Sequence, residues 1–424
     1  MGAQSDLQIA QPLTLKCGLT LPNRLVKAAM TEQLAGTNQL PDERLQAIYK
    51  HSSTGGWGLI ITGHVQVDDA YLGAPADLAI PPSLPPASLL PPLSALARAS
   101  QGPGPDHTPT IVQLNHPGRQ SPRGTGTRGI FAPALAPSAV PISLGTGVVP
   151  SILRALMFPT PRAMTAAEIR TVIDQFARAA RVVAQAGFDG VELHAAHGYL
   201  LSQFLGRRTN LRGEGDGYGG DARGRARMVV EVVRAVREAT REYKGFCVGM
   251  KLNSVDHQSE GEMAECVEQV RAVVEAGVDF IEVSGGSFED LKMLYGNEGP
   301  GHAEKKSART QAREAFFIEF AQAIRKEFPG VPFMVTGGFS SRGGMEKAVA
   351  NGDCDLIGLA RPALANPAAP NRVILNPEVK DQDATLPRKK NKVPWLAKVM
   401  GMPVVGAGVD NIQYTEQLQN LAKS

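Results

Sequence analysis

The feature that most constrains this chain is a repeated alternation: a short apolar run, a helical stretch, then another apolar run. Eight runs read as strands: Arg24–Met30, Trp57–Thr62, Thr110–Leu114, Phe188–His194, Phe246–Leu252, Val278–Ser284, Pro332–Thr336 and Asp355–Leu359. Stretches such as Gly58-Leu59-Ile60-Ile61 and Asp355-Leu356-Ile357-Gly358-Leu359 lack the polar alternation of a strand wetted on one face. A strand buried on both faces reads this way, as in parallel sheets. Helical patterns fall between them, at Asp42–Ser53, Thr165–Ala186, Arg223–Arg241, Glu262–Ala276, Ala308–Glu327 and Gly343–Asn351. The clearest has Thr165 as N-cap, Glu168 three residues on and Gly187 as the stop. The phrase Ala-Gly-Phe-Asp-Gly-Val-Glu (186–192) returns as Ala-Gly-Val-Asp-Phe-Ile-Glu (276–282), the same helix stop feeding a strand.

Eight strands with intervening helices predict an α/β fold, a single (β/α)8 TIM barrel. The competing arrangement is an open doubly wound sheet. Its dinucleotide-binding form loses its main support, because no G-x-G-x-x-G follows a strand. The 424 residues suit one barrel with insertions. The barrel is expected over residues 1–368. Residues 68–108, rich in Pro, Ala and Leu, and 117–163, rich in Gly and Pro, interrupt the repeat as long capping loops. Residues 369–424 are expected to form a C-terminal tail, packing on the barrel or on a neighbouring subunit.

Charge and cysteine content narrow the function. A net charge of +3, from 44 basic and 41 acidic residues, argues against a nucleic-acid partner. The basic run Arg388-Lys389-Lys390-Asn391-Lys392 reads as a solvated loop, or as a phosphate or partner patch. Cys17, Cys247, Cys266 and Cys354 form no C-x-x-C pair and read as reduced thiols. The first residues lack signal-peptide character, Asp6 stands where a myristoylation signal needs Ser or Thr, and no run reaches the ~18 apolar residues of a membrane span. A cytoplasmic enzyme with no membrane partner is the expectation.

Function in such a barrel sits at the C-terminal ends of the strands. The fourth strand ends in Val-Glu-Leu-His-Ala-Ala-His-Gly-Tyr (191–199). His194, His197 and Tyr199 there could be catalytic hydrogen-bond donors, two structural histidines, or metal ligands with Glu192. A metal is the weakest of these, because two histidines are too few ligands and no Cys lies nearby. The third strand ends in Gln113-Leu114-Asn115-His116, suited to a polar planar ligand or to capping a loop. Gly337 and Gly338 after the seventh strand, with Arg361 after the eighth, have the pattern of a barrel phosphate site.

These residues resemble the Old Yellow Enzyme family of flavin oxidoreductases. The motifs that carry the resemblance are Asn-Arg-Leu-Val-Lys-Ala-Ala-Met-Thr (23–31), Gln-Leu-Asn-His-Pro-Gly-Arg (113–119), Gly-Phe-Asp-Gly-Val-Glu-Leu-His-Ala-Ala-His-Gly-Tyr-Leu (187–200), Thr-Asn-Leu-Arg (209–212) with Tyr-Gly-Gly (218–220), and Gly-Leu-Ala-Arg-Pro-Ala-Leu-Ala-Asn-Pro (358–367). They follow one another over residues 10–368. The resemblance implies FMN as cofactor, NADPH or NADH as reductant, a small-molecule alkene as substrate, and a monomer or homodimer. It implies that Ala29 and Met30 line the flavin and that Thr31 bonds the O4 region. Gly63 would let the second strand approach the ring, Gln113 would bind the pyrimidine edge, and Lys251 would face N1 and O2. Gly337, Gly338 and Arg361, with Ala360 beside them, would hold the phosphate. His194 and His197 would bind a substrate carbonyl or a phenolate, and Tyr199 would donate the proton.

Departures from the family pattern are Lys251 where Arg is frequent, two histidines where His and Asn are frequent, extra residues Gly213-Glu214-Gly215, and Ala360 where Gly is usual. Two rival readings stand beside this one. A dihydroorotate-type flavin barrel lacks the His-x-x-His-Gly-Tyr segment. A barrel kept only as a scaffold would have no need of Thr31, Gln113, His194, His197, Tyr199 and Arg361 together.

Overall fold

The computed structural model describes residues 6–104, 107–145, 147–253, 260–284, 322, 324–386, 418 and 421–422. Eight parallel strands form the barrel: β1 (Leu25–Lys27), β2 (Leu59–Gln66), β3 (Thr110–Asn115), β4 (Gly190–Ala195), β5 (Cys247–Asn253), β6 (Phe280–Ser284), β7 (Phe333–Thr336) and β8 (Leu356–Leu359). Each pairs with the next, and β8 pairs back onto β1 through Leu359 and Lys27, which closes the ring. All eight expected strands are present, so the open-sheet alternative is excluded.

Strand ends differ from expectation in a physical way. β1 stops at Lys27, where the chain leaves the sheet and frees Ala29, Met30 and Thr31 at the barrel mouth. β2 continues to Gln66, four residues beyond its apolar run, through a register shift between Ile61 and His64. Its polar residues Thr62, His64 and Gln66 are buried, so hydrophobicity alone ended the strand too early.

Helices follow the strands: α1 (Glu43–Ser53), α2 (Pro86–Gln101), α3 (Val148–Met157), α4 (Ala166–Gln185), α5 (Leu200–Leu205), α6 (Ala222–Ala239), α7 (Glu260–Ala276), α8 (Arg342–Ala350) and α9 (Arg361–Ala365). At the start of α4, the Glu168 N–H donates to the Thr165 hydroxyl at 3.2 Å. The Glu168 carboxylate accepts the Thr165 N–H at 2.8 Å, which completes a capping box. The α4 face carrying Ile169, Val172, Phe176 and Val183 is buried in the main core.

Residues 68–108 are not the irregular insertion their prolines suggested. They contain α2, which begins at Pro86 and buries Leu89, Leu93, Leu96 and Ala97. Proline suits a first helical turn, but Pro91 and Pro92 break the sequence signal inside it. Residues 117–163 hold α3 and a short parallel pairing of Leu135–Ala136 with Arg162–Ala163. The expected helix Ala308–Glu327 lies outside the described residues except at its C-terminal end, as does the basic run at 388–392.

An N-terminal hairpin, Leu13–Thr14 paired antiparallel with Thr20–Leu21, closes the bottom of the barrel. Leu15 and Leu21 pack there with Val26, Ile61, Ile111, Cys247, Phe280 and Met334. The Phe280 ring occupies the space that a Cβ on Gly249 would need. The floor is therefore apolar, and the polar interior begins above it. Beyond β8, the buried Arg342 gathers the following segment. Its guanidinium donates to the carbonyls of Val373, Ile374, Asn376 and Val379 at 2.7–2.9 Å, and it pairs with Asp381 at 2.8 Å.

Candidate active site

The upper interior of the barrel is built from residues one register step above the floor. Gln113 pairs in register with both His64 and Glu192, and Lys251 pairs with both His194 and Glu282. All six side chains are buried. The Gln113 amide donates to Glu192 Oε2 at 2.6 Å, and Lys251 Nζ lies 2.7 Å from Glu282 Oε1. Burial and the neighbouring charge of Glu282 raise the Glu192 pKa well above the carboxylate range. Burial also opposes ionisation of Glu282, but Lys251 and the hydrogen bond with Glu192 bring its pKa below the usual value. The layer thus holds a neutral Glu192 beside a Lys251–Glu282 ion pair.

His194 ends β4, and the turn after it carries His197 and Tyr199. His197 adopts a left-handed backbone, φ 58°, which a non-glycine residue rarely accepts. The Ala196 N–H points at His194 Nδ1 at 3.3 Å, which makes that nitrogen the acceptor and puts the proton on Nε2. His194 Nε2 lies 3.3 Å from His197 Nδ1, and His197 Nε2 lies 3.2 Å from the Ser284 hydroxyl. Proton donation therefore runs from His194 to His197 to Ser284. Burial, with the Lys251 and His64 charges among the lesser causes, holds both imidazole pKa values well below normal, so both rings are neutral. Tyr199 is partly buried and meets His194 edge to face, with ring centroids 4.8 Å apart. Burial, then the Asp77 charge, pushes its phenol pKa up.

His64 and Asp77 were not anticipated. The His64 ring lies 5.7 Å from Tyr199 and 6.4 Å from His194, and its Nε2 is 3.4 Å from Asp77 Oδ2. Asp77 is fixed by Gln66 Nε2 at 2.8 Å and by the Gly73 and Ala74 N–H groups. A signal did exist: His64 directly follows Gly63 at the end of a barrel strand. Asp77 sits in the segment read as an insertion, where nothing linked it to the site. Ser284 and Glu282 stand at the end of β6, where the sequence shows only an apolar strand.

The remaining expected residues fall as follows. Ala29, Met30 and Thr31 are partly open at the top of β1. At Gly63 the need for glycine comes from the segment that follows β1, because a Cβ would overlap the Glu32 carboxylate and the Met30 carbonyl. Glu32 accepts the Gly63 N–H at 2.9 Å and the Tyr49 hydroxyl, which ties β2 to the segment carrying Thr31. Gly337 and Gly338 both have positive φ, 117° and 84°, and face open space. Arg361 begins α9 directly after β8. Ala360 has φ −94°, outside the left-handed region that favours glycine. The loop with three extra residues is anchored: Asn210 Nδ2 donates to the carbonyls of Phe204 and Tyr218 at 2.8 Å, and Arg212 donates to those of Pro137 and Met164 at 2.8 Å.

The donor set fits FMN. Gly337 and Gly338, with open space beside them, and Arg361 at the start of α9 are residue types that suit a phosphate, and the Gln113 carboxamide and the Lys251 cation suit a pyrimidine edge. Buried polar atoms without protein partners, Gln66 Oε1 and both amide atoms of Asn115, lie at the same end of the barrel and suit a polar ligand or water. Among the described residues, His194 and His197 have no third metal-ligating side chain placed to complete a metal site with them.

An eight-stranded parallel barrel with two positive-φ glycines after β7, an arginine after β8 and a neutral histidine pair at its mouth has the form of an FMN-dependent oxidoreductase. The chain belongs to the NADH:flavin oxidoreductase / NADH oxidase family, which it matches over residues 8–382, and so to the Old Yellow Enzyme group. It is 49% identical over 417 residues to the NADH-dependent flavin oxidoreductase iliE of Neonectria sp. (strain DH2), covering 97% of this chain and 53% of that protein. It is 45% identical over 408 residues to iliE of Hypocrea jecorina (strain QM6a), covering 96% and 99%. The chain thus spans about half of the first relative and nearly all of the second. Among solved structures, morphinone reductase superposes with a TM-score of 0.66 at 22% identity, covering 87% of this chain and 90% of that one. The Old Yellow Enzyme homologue from Zymomonas mobilis gives 0.67 at 22%, covering 88% and 94%. At this identity the structural likeness speaks for the fold. FMN is the cofactor and a nicotinamide nucleotide the reductant.

Proposed function

We propose that the protein reduces the C=C bond of activated alkenes, such as enones, at the pocket formed by His194, His197 and Tyr199. The observation that carries this reading is the meeting of two neutral imidazoles with an un-ionised phenol at one strand end. When bound, FMN would supply the hydride-transfer chemistry that links nicotinamide to substrate. Everything else falls to the side chains. His194 and His197 would bind the substrate carbonyl oxygen as neutral donors and stabilise negative charge growing there. A substrate oxygen would compete with His197 for the His194 Nε2 proton, replacing the contact between the two rings. Tyr199 would then deliver its proton to the carbon next to the carbonyl. Its raised pKa favours the protonated form needed for that step. Lys251 would hold positive charge near the N1 edge, with Glu282 fixing its direction. Thr31 would act from the top of β1 on the opposite edge.

The test is anaerobic reduction of the bound flavin by NADH or NADPH, followed by mixing with a panel of enones. Rapid return of the oxidised spectrum with an enone, and formation of the saturated ketone, is expected. A reduced flavin that only oxygen reoxidises would rule out alkene reduction while leaving the flavin chemistry intact.

A further inference from the structure

The floor of the barrel carries a second reactive cluster, on the face opposite the flavin pocket. Cys17 lies in the turn of the N-terminal hairpin, and Cys247 is the first residue of β5. Their sulfurs and a carboxylate oxygen of Asp279 all lie within 4.8 Å of one another. Cys247 is fully buried and Cys17 is partly exposed. The turn around Cys17 is closed by short bonds of its own, Leu15 N–H to Leu19 at 2.8 Å and Gly18 N–H to Leu15 at 2.9 Å. Lys16 and Gly18 on either side are exposed.

Three ligand atoms invite a metal, but the surroundings speak against one. Asp279 Oδ2 already accepts the Val248 N–H at 2.7 Å and Arg237 Nη2 at 2.5 Å. A divalent cation there would face the guanidinium charge with only three protein ligands. Two thiols within reach of each other, one of them accessible, suit disulfide chemistry better.

We propose that Cys17 and Cys247 are a redox-active dithiol that closes to a disulfide in the presence of low-molecular-weight disulfides such as oxidised glutathione. The two sulfurs are not equivalent. A hydrogen bond from Cys247 lowers the Cys17 pKa, whereas burial, then the bond to Cys17, raises that of Cys247 well above normal. The thiolate is the nucleophile, so Cys17 attacks first. Its sulfur bonds to one glutathione sulfur and expels the other as glutathione thiolate. Cys247 then loses its proton and attacks the Cys17 sulfur, expelling the second glutathione. Two protein thiols are oxidised and one glutathione disulfide is reduced to two thiols. The product ties the hairpin that seals the barrel to the strand that carries Lys251.

The full-length, FMN-loaded protein is equilibrated with oxidised and reduced glutathione, acid-quenched, alkylated and peptide-mapped. Two of the four thiols are expected to disappear reversibly, with a Cys17–Cys247 cross-linked peptide. The unfolding midpoint should rise by roughly 5 °C, as for a cross-link closing a long loop. Cys17→Ser should form no cross-link, keep all three remaining thiols titratable and bind FMN normally. Cys247→Ser should instead stop at one glutathione adduct on Cys17. Four titratable thiols under oxidising conditions, an unresolved Cys17 adduct in the unsubstituted protein, or a different cross-linked pair would overturn the proposal. So would stoichiometric zinc that protects both thiols, which would make the cluster a metal site.

Discussion

At the scale of single residues, the site depends on keeping ionisable groups neutral. His194 and His197 lie in a layer that also contains Lys251, so charging either ring would place a second cation beside the first. A neutral pair can still donate two N–H groups to one anionic oxygen, but only after giving up its mutual contact of 3.3 Å and the His197 bond to Ser284 at 3.2 Å. An anionic phenol is the simplest probe of that exchange. Titration of the oxidised protein with p-hydroxybenzaldehyde is expected to give a long-wavelength charge-transfer band. His194→Ala with His197→Ala should weaken the binding about 100-fold, for the loss of two hydrogen bonds to a charged group at ~1.5 kcal/mol or more each. Unchanged affinity would put the anion elsewhere. Glu32 illustrates a different residue-scale role. It holds Gly63 and Tyr49, and so supports the segment that carries Thr31 without facing the pocket itself.

At the scale of elements, the strands were legible because burial on both faces leaves an unbroken apolar run, and α4 was legible because its caps and period agree. What escaped was set by tertiary context. The prolines of α2 masked a period that the core enforces through Leu89, Leu93 and Leu96. The polar end of β2 is a strand because β3 pairs with it on one side and the short strand Leu78–Ala79 on the other. The floor hairpin is too short to leave a pattern. Histidines 194 and 197, Tyr199 and Gln113 were readable from strand-end positions. His64, Asp77, Glu282 and Ser284 were not, because only closure of the ring brings those strands together. Two predictions belong here. Gly338→Val places a branched side chain at φ 84° beside the proposed phosphate position. FMN affinity, measured by ultrafiltration, should fall by at least ~10-fold while the apoprotein stays folded; retained affinity would move the phosphate elsewhere. Phe280→Ala empties the centre of the floor and should cost about 3–5 kcal/mol in urea unfolding. A loss under 1 kcal/mol would mean that the floor is not packed as described.

At the scale of the whole molecule, the buried neutral histidines link stability to pH. His116 is held down to about 4, by burial first, and His194 and His197 lie well below 6.5. Above pH 6.5 these rings are neutral whether the chain is folded or not. Below it the unfolded chain binds protons that the folded one refuses, so stability falls as pH drops from 6.5 towards 4. Lys27, held near 8 by burial against a usual 10.5, gives the same sign in alkali: stability rises between pH 8 and 10.5. Urea midpoints at pH 7, 5.5 and 4.5 measure the acid limb, and His116→Asn should make it shallower by about one proton. An identical slope in the variant would mean that His116 titrates normally.

The central claim is that one pocket divides the reaction, with the flavin site serving both half-reactions and Tyr199 serving only the second. Rapid-mixing kinetics of Tyr199→Phe against the unsubstituted protein tests this most directly. Flavin content and reduction by the nicotinamide should be nearly unchanged, and reoxidation by an enone should slow by ~10²-fold, as for a lost general acid. Nitroalkenes, whose product anion is stable without protonation, should still be reduced at close to the normal rate. Equal slowing of both half-reactions, or of neither, would contradict the account.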